Sequence, residues 1–282
     1  MYDTIVIGLG PAGATAAIYL KRFNNDVLLI GKDLGALKES DMIENYYGFA
    51  EPISGNIIVA NGIKQAERHG VPIIRDSVIN IDEHDNYFIV TTEHAVFEAK
   101  TILLATGKNR KRLPVEGFNA YRGKGISLCV TCDGFFFRKK KIGIIGDGPY
   151  MLHELSLLTN LTDDITIFSN GINIKNDSYK VVTEPITGFY GDSKLTSLKT
   201  SNATYQLDGV FVAIGSPSAL EFAQSLGIIL DKETIIVDDN FQTNNPGVFA
   251  AGDVIGGFLQ ISKAVCDGTN AARKIHEYLR KK

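Results

Sequence analysis

The glycine turn Gly8-Leu9-Gly10-Pro11-Ala12-Gly13 returns in part, 138 residues later, as Gly146-Asp147-Gly148-Pro149. Each copy has the same surroundings. Thr4-Ile5-Val6-Ile7 leads into the first, an alanine-rich stretch to about Phe23 follows, and then comes Val27-Leu28-Leu29-Ile30. An apolar run from Lys141 leads into the second, and Ile165-Thr166-Ile167-Phe168 lies 138 residues after Val27 to Ile30. Both read as strand, tight turn, helix, strand. Chance similarity between two ordinary βαβ units is the alternative, and the shared proline and ungapped spacing weigh against it.

A turn of this kind has a physical logic. The first glycine makes the bend, the second lets backbone approach a pyrophosphate, and the third lets helix and strand pack closely. The helix N-terminus then faces the phosphates with its unpaired N–H groups and partial positive charge. Two further apolar strands end in small residues, Ile102-Leu103-Leu104-Ala105-Thr106-Gly107 and Gly247-Val248-Phe249-Ala250-Ala251-Gly252-Asp253. Asp253 is placed to hydrogen-bond a sugar or linker hydroxyl. Either segment alone could be a structural strand end.

A chain of 282 residues has the length of about two domains. Its formal net charge of −3 gives no overall attraction to nucleic acid or to a membrane, and no apolar run is long enough to cross a bilayer. A strand begins within the first five residues, which predicts no signal peptide and a cytoplasmic location. Three cysteines are too few for a disulfide scaffold of this length.

Two of the three cysteines form Cys129-Val130-Thr131-Cys132-Asp133. A pair two residues apart is the unit of reversible dithiol chemistry, in which a thiolate attacks a disulfide and an adjacent acid can exchange the proton. Structural zinc is the competing reading, but it needs about four ligands at suitable spacing. Cys266 is remote, and none of His69, His84, His94, His153 and His276 pairs with the motif. A buried helical position is expected for Cys266. The run Phe135-Phe136-Phe137 is expected to pack under the redox loop.

Taken together, these stretches resemble the low-molecular-weight thioredoxin reductase family over nearly the whole chain. The likeness rests on Gly8 to Gly13, Glu44-Asn45-Tyr46-Tyr47-Gly48-Phe49, Ala105-Thr106-Gly107, Cys129 to Phe136 and Gly247 to Asp253. It implies an α/β fold of two Rossmann-like dinucleotide-binding domains. An FAD domain, residues 1–112 and 215–282, is interrupted by a smaller NAD(P)-type domain, 113–214, that carries the redox disulfide. It implies FAD contacts from Gly8, Gly10, Pro11, Ala12, Gly13, Gly31, Lys32, Asn45, Thr106, Gly107, Gly252, Asp253, Gln260 and Ile261. By the same resemblance Cys132 faces the flavin, Cys129 attacks the disulfide of thioredoxin or a thioredoxin-like protein, and Asp133 handles the proton. The family works as a homodimer whose smaller domain rotates.

The chain departs from the family pattern at its second nucleotide site. Met151 occupies the third small position. After Phe168 stands Ser169-Asn170-Gly171, where NADPH-dependent members carry a histidine and two arginines. A phosphate dianion needs fixed donors and positive charge, and Lys175 is the nearest cation. Leu259-Gln260 replaces an Arg-Gln pair, Gly35-Ala36-Leu37 replaces Gly-Gly-Gln, and Lys263 and Cys266 replace small residues. These departures resemble the ferredoxin-linked flavin thioredoxin reductase branch, whose donor, ferredoxin or flavodoxin, is acidic. The basic runs Lys108 to Arg112 and Arg138 to Lys141 are either docking charge for such a donor or solvated linker. Three functions therefore stand: a thioredoxin reductase fed by ferredoxin or flavodoxin, the same enzyme fed by NADPH through an atypical site, and a non-catalytic flavoprotein module.

Overall fold

The computed structural model describes every residue except Leu34, Asp41, 108–112, Ser216 and Lys282, and the side chains of Glu39, Thr131 and Cys132 are also outside the description. The chain divides into two compact units. One comprises Met1–Asn109 with Ser218–Lys282, and the other is Arg110–Pro217.

The first unit opens with β1 (Tyr2–Ile7), α1 (Pro11–Arg22) and β2 (Val27–Ile30). Proline at the start of α1 suits a position whose N–H would be unpaired in any case. After α2 (Gly55–Arg68), whose Ser54 cap accepts the Asn56 N–H at 3.3 Å, come β3 (Ile73–Ile74), β4 (Val78–His84), β5 (Tyr87–Thr92) and β6 (Val96–Leu104). The last three form an antiparallel meander.

The second unit contains α3 (Phe118–Tyr121), β7 (Ile126–Ser127), α4 (Val130–Asp133), β8 (Ile142–Ile145), α5 (Pro149–Leu158), β9 (Ile165–Phe168) and β10 (Lys180–Val182). A small antiparallel sheet of β11 (Ile186–Gly191), β12 (Leu195–Thr200) and β13 (Thr204–Gln206) follows, and β14 (Gly209–Val212) closes the unit. Its main sheet has the order β10-β9-β8-β14-β7.

The chain then returns to the first unit with α6 (Ala219–Ser225), the hairpin β15 (Leu230–Asp231) and β16 (Thr234–Ile235), β17 (Val248–Ala250) and α7 (Ile261–Leu279). β17 pairs in parallel with the second half of β6, so the parallel part of this sheet runs β3-β2-β1-β6-β17. Both units thus hold a five-stranded parallel sheet of the same layout. The duplication extends to register: Thr4 faces Val27 and Ile7 faces Ile30, while Ile142 faces Ile165 and Ile145 faces Phe168. All four residues of the second set lie 138 positions after those of the first.

Why the strands are apolar throughout is clear from their two faces. Val6, Leu29, Leu103 and Phe249 join α1, α2 and α7 in one core. Their neighbours Ile5, Ile7, Leu28, Ile30, Ile102 and Leu104 join the meander and α6 in another. A parallel sheet covered on both sides requires this, and each fully buried Leu or Ile stabilises by roughly 1.5–3 kcal/mol. The alanines of α1 serve a closer contact. A methyl on Gly268 of α7 would lie 2.2 Å from the Ala12 carbonyl oxygen, so the α1 and α7 backbones touch there. Ala264, Ala271 and Ala272 continue the small-residue face. Cys266 falls off that face and is exposed, contrary to its expected burial.

Candidate functional site

The carboxyl ends of β1, β2, β6 and β17 bring most of the predicted cofactor positions together. Gly8 has φ +123°, and a side chain there would meet the Ala105 oxygen at 2.3 Å and the Thr106 Cα at 3.0 Å. A methyl on Gly13 would stand 1.9 Å from the Gly8 oxygen, so α1 is drawn hard against the turn. Gly31 fits beside Leu9 and Gly8, and Gly252 fits beside Ala12, where a methyl would come within 2.9 Å. Gly10 has open space at its Cβ position, and no side chain caps α1. Its first-turn N–H groups, with no acidic residue among them, are left for an anion. The Thr106 hydroxyl is buried without a hydrogen-bond partner. An unpaired buried hydroxyl is costly, and this one borders the glycine turn. A bound group with phosphate and hydroxyl functions fits that cradle.

The same unit adds Asn45, whose side-chain amide donates to Gln260 Oε1 at 3.0 Å, just ahead of Ile261 at the start of α7. The Gly252–Ile255 turn holding Asp253 is fixed by two α7 residues. The Lys263 ammonium donates to the carbonyl oxygens of Gly252 (2.9 Å) and Gly256 (2.5 Å) and pairs with Asp267 (2.8 Å). Asp267 in turn accepts the Gly252 N–H at 3.1 Å. Gly107 follows with φ +69°. Lys32 stands apart, giving its ammonium to Glu93 at 2.9 Å. Asp76, Glu93 and His94 lie close enough to share a metal ion. They instead satisfy each other, with His94 Nδ1 3.1 Å from Asp76 and Lys32 neutralising Glu93.

The second turn differs in its contents while keeping its shape. Gly146 has φ +159° and Gly148 has open space, as in the first copy. Met151, at 2% exposure, fills the place of Gly13, and a methyl on Gly146 would meet its Cβ at 2.7 Å. Asp147 is exposed between the two glycines, where Leu9 is buried in the first turn. A carboxylate there opposes a phosphate. Beyond β9, Ser169 donates its hydroxyl hydrogen bond to the Ile172 oxygen, and Asn170 Oδ1 accepts the Ile186 N–H at 2.8 Å. Gly171 N–H bonds the Thr183 oxygen at 2.7 Å. The segment where a ribose phosphate would need donors is closed on itself, and Lys175 is exposed.

Cys129 follows edge strand β7 and is disulfide-bonded, with 6% exposure. The Cys132 side chain lies outside the described residues. Ser127 links the motif's two ends: its Oγ accepts the Cys129 N–H at 3.1 Å and donates to Asp133 Oδ2 at 2.7 Å. Glu154 of α5, 8% exposed, accepts the Val130 N–H at 2.9 Å. Neither residue was visible from the sequence. Ser127 had only its place at a strand end, and Glu154 comes from 24 residues away. Gly134 packs closely under the loop: a methyl there would sit 2.7 Å from Leu161 Cδ1, so that side chain would have to shift. The expected packing of the three phenylalanines holds only for Phe137, which lies edge-on to Phe211 at 5.4 Å. Phe135 and Phe136 are 72% and 69% exposed. The 3-10 turn Gly134–Phe137 orients only the third ring inward. Arg138 to Lys141 are exposed, and Lys108 to Arg112 lie outside the described residues.

Comparison with known proteins matches residues 2–268 to the family described as pyridine nucleotide-disulphide oxidoreductase. The thioredoxin reductase of Treponema pallidum is 32% identical over 99% of this chain and 97% of its own length. Among solved structures, the atypical thioredoxin reductase TRi from Desulfovibrio vulgaris Hildenborough superposes with a TM-score of 0.91 at 34% identity, covering 100% of this chain and 99% of that one. A ferredoxin-flavin thioredoxin reductase from Clostridium acetobutylicum gives 0.73 at 28% identity, with the same coverage. No helix among the described residues is long and apolar enough to cross a membrane. With two parallel Rossmann-like sheets, a glycine cradle and these full-length relatives, the chain belongs to the pyridine nucleotide-disulphide oxidoreductase family and is a thioredoxin reductase-like flavoprotein.

Proposed function

We propose that this enzyme reduces thioredoxin, or a thioredoxin-like protein, through a Cys129–Cys132 disulfide, with electrons entering at FAD from reduced ferredoxin or flavodoxin. The observation that carries the choice of donor is the second turn. Met151 occupies the space under Gly146, Asp147 projects a carboxylate, the Ser169 hydroxyl is spent on the Ile172 oxygen and the Asn170 Oδ1 on the Ile186 N–H of β11. A pyridine nucleotide would have to displace bonds and bring its phosphates against a like charge. The ferredoxin-flavin enzyme of Clostridium acetobutylicum supports the same donor by likeness.

FAD, held by Gly8 to Gly13, Gly31, Thr106, Gly252 and Asp253 with Asn45 and Gln260 beside it, supplies a store for two electrons when bound. The protein's own residues carry the output chemistry. Two electrons and two protons cleave the Cys129–Cys132 bond to a dithiol. The Cys129 thiolate attacks one sulfur of the oxidised partner, and the partner's other sulfur leaves and is protonated. Cys132 then attacks the Cys129 sulfur, which restores the internal disulfide and releases the reduced partner. Asp133, oriented by the Ser127 hydroxyl, is the proton carrier for these steps. Cys129 is buried, so the attack also needs a movement that exposes it. The exposed Arg138 to Lys141 run and the neighbouring Phe135 and Phe136 supply charge and apolar surface for a protein partner. A cytoplasmic homodimer completes the reading, and sedimentation of the holoenzyme gives its mass.

Cys132→Ser tests the output. The variant keeps its FAD absorbance and loses thioredoxin turnover by about a thousandfold or more, as expected for removal of one member of a covalent relay. Turnover within tenfold of the parent would remove the disulfide from the pathway.

A further inference from the structure

Lys263 stands in the first turn of α7, but its ammonium ends in the backbone of another element. An ammonium has three N–H donors, and all three are used there: on the Gly252 oxygen at 2.9 Å, the Gly256 oxygen at 2.5 Å and Asp267 Oδ2 at 2.8 Å. The same Asp267 oxygen accepts the Gly252 N–H at 3.1 Å, so Gly252 is held at both its donor and its acceptor. The turn is shaped around this charge. Gly252, Gly256 and Gly257 have φ of +84°, +72° and +77°, a region open to glycine, and a methyl on Gly257 would lie 3.3 Å from Lys263 Cε. The Lys263 side chain is 21% exposed and that of Asp267 11%, which leaves little water for either. Without the ammonium, two carbonyl oxygens and a carboxylate would face one small space that holds no cation. The turn also touches the cradle: a methyl on Gly252 would come within 2.9 Å of Ala12 Cβ, in the first turn of α1. Asp253 comes next, and its carboxylate makes no hydrogen bond among the described residues. Direct contact between Lys263 and a ligand phosphate is the competing role, and the ammonium has no donor left for it.

We propose that Lys263 is a positioning residue for FAD: by tying the Gly252–Ile255 turn to α7, it holds Asp253 in register with the glycine cradle and slows the cofactor's release. This rests on the reading of the cradle as an FAD site. The lysine acts through the backbone, and Asp267 is its counter-charge. Because the two charges cancel, the effect is on the geometry of the turn. Removing the ammonium alone leaves Asp267 with a partly buried charge and no cation, which loosens the turn further.

The test follows FAD leaving the holoenzyme, read as the rise of free-flavin fluorescence after dilution. Lys263→Ala releases FAD about tenfold to a hundredfold faster than the parent, the range for one lost charge-assisted hydrogen bond. The deleted atoms correspond to propylammonium. At about 0.1 M that cation slows release from Lys263→Ala by about threefold or more, while tetramethylammonium, which has no N–H, does not at the same ionic strength. Release from Lys263→Ala within about threefold of the parent overturns the proposal. So does slowing by neither cation, or equal slowing by both, since lost packing or salt would then account for the change. If Lys263→Ala does not fold, Lys263→Met keeps the apolar stem without the ammonium, and release within about threefold of the parent overturns the proposal in the same way. The parent separates the two readings. If it purifies without FAD and takes none up, the cofactor site fails and the role of Lys263 falls with it. If it holds FAD and Lys263→Ala releases it at the same rate, only the role of Lys263 is lost.

Discussion

The two glycine turns share a backbone and differ in what they leave open. Both helices start without a side-chain cap, but in the first turn Gly13 allows α1 to press on Gly8, and Thr106 presents a buried hydroxyl with no partner. In the second, Met151 occupies the close-contact position, Asp147 brings negative charge, and the Ser169 and Asn170 side chains already bond the Ile172 oxygen and the Ile186 N–H. Strand register is the same to the residue, while the side chains around the two turns differ. The lesson is that a fold depends on apolar faces and pairing, whereas a phosphate site depends on a few atoms being absent.

Exchanging the residues at the close-contact position gives the largest expected effects. Gly13→Met forces a side chain into a space where even a methyl meets the Gly8 oxygen at 1.9 Å. The expected outcome is protein purified with under about a tenth of its flavin and destabilised by about 3 kcal/mol or more. The reciprocal Met151→Gly restores the small residue but empties a buried site. It should cost about 2–5 kcal/mol in urea unfolding for the lost side chain, with about 1 kcal/mol more for glycine in a helix. It should leave NADPH unbound by calorimetry, since Asp147 and the Ser169 loop remain. NADPH binding by this single variant would show that Met151 alone separates the two turns.

A smaller effect is expected at Asn170, whose Oδ1 accepts the Ile186 N–H at 2.8 Å. Asn170→Ala should lower stability by about 1–2 kcal/mol through an unpaired amide, with no gain in nucleotide binding. Asn170 also has φ +49°, a conformation asparagine tolerates better than alanine, which adds to the loss.

The smallest difference is in pH response. In the first unit burial raises the carboxyls of Asp3, Asp76 and Asp238, but hydrogen bonds outweigh it. These come from Lys100 to Asp3, from Thr92 and His94 to Asp76, and from Gln242 and Asn240 to Asp238, and all three carboxyls lie below their ordinary value. Glu93 is lowered chiefly by its bond to Lys32. Lowered carboxyls stabilise above their unfolded values of about 4 and cease to do so as pH falls through the folded ones. In the second unit the Glu116 hydrogen bond raises Tyr190, and burial followed by Glu184 raises Tyr205. Raised phenols stabilise below about pH 10 and lose that contribution as pH rises through the folded values. Pulse hydrogen exchange should find acid loosening first in the first unit and alkaline loosening first in the second. Simultaneous loosening at both extremes would contradict the assignment.

Much of this was legible in the residues because it is local. The first strand, turn, helix and strand follow from apolar runs punctuated by glycine and proline, and the 138-residue repeat carried the same pattern to the second unit. The cradle was legible too, since close approach demands glycine wherever it occurs. Contacts made across the chain were not. By residue type Phe135, Phe136 and Cys266 read as interior, but their direction depends on a short 3-10 turn and on which face of α7 meets α1. Ser127 and Glu154 are ordinary residues in sequence, and only the approach of β7 and α5 to the loop gives them partners.

In the proposed cycle electrons reach this flavoprotein without a pyridine nucleotide. Anaerobic stopped-flow mixing of the oxidised holoenzyme, followed by flavin absorbance, tests it directly. Reduced ferredoxin or flavodoxin should bleach the flavin within seconds, while NADPH and NADH at millimolar concentration leave it unchanged over minutes. Bleaching by either nucleotide within seconds would contradict that route.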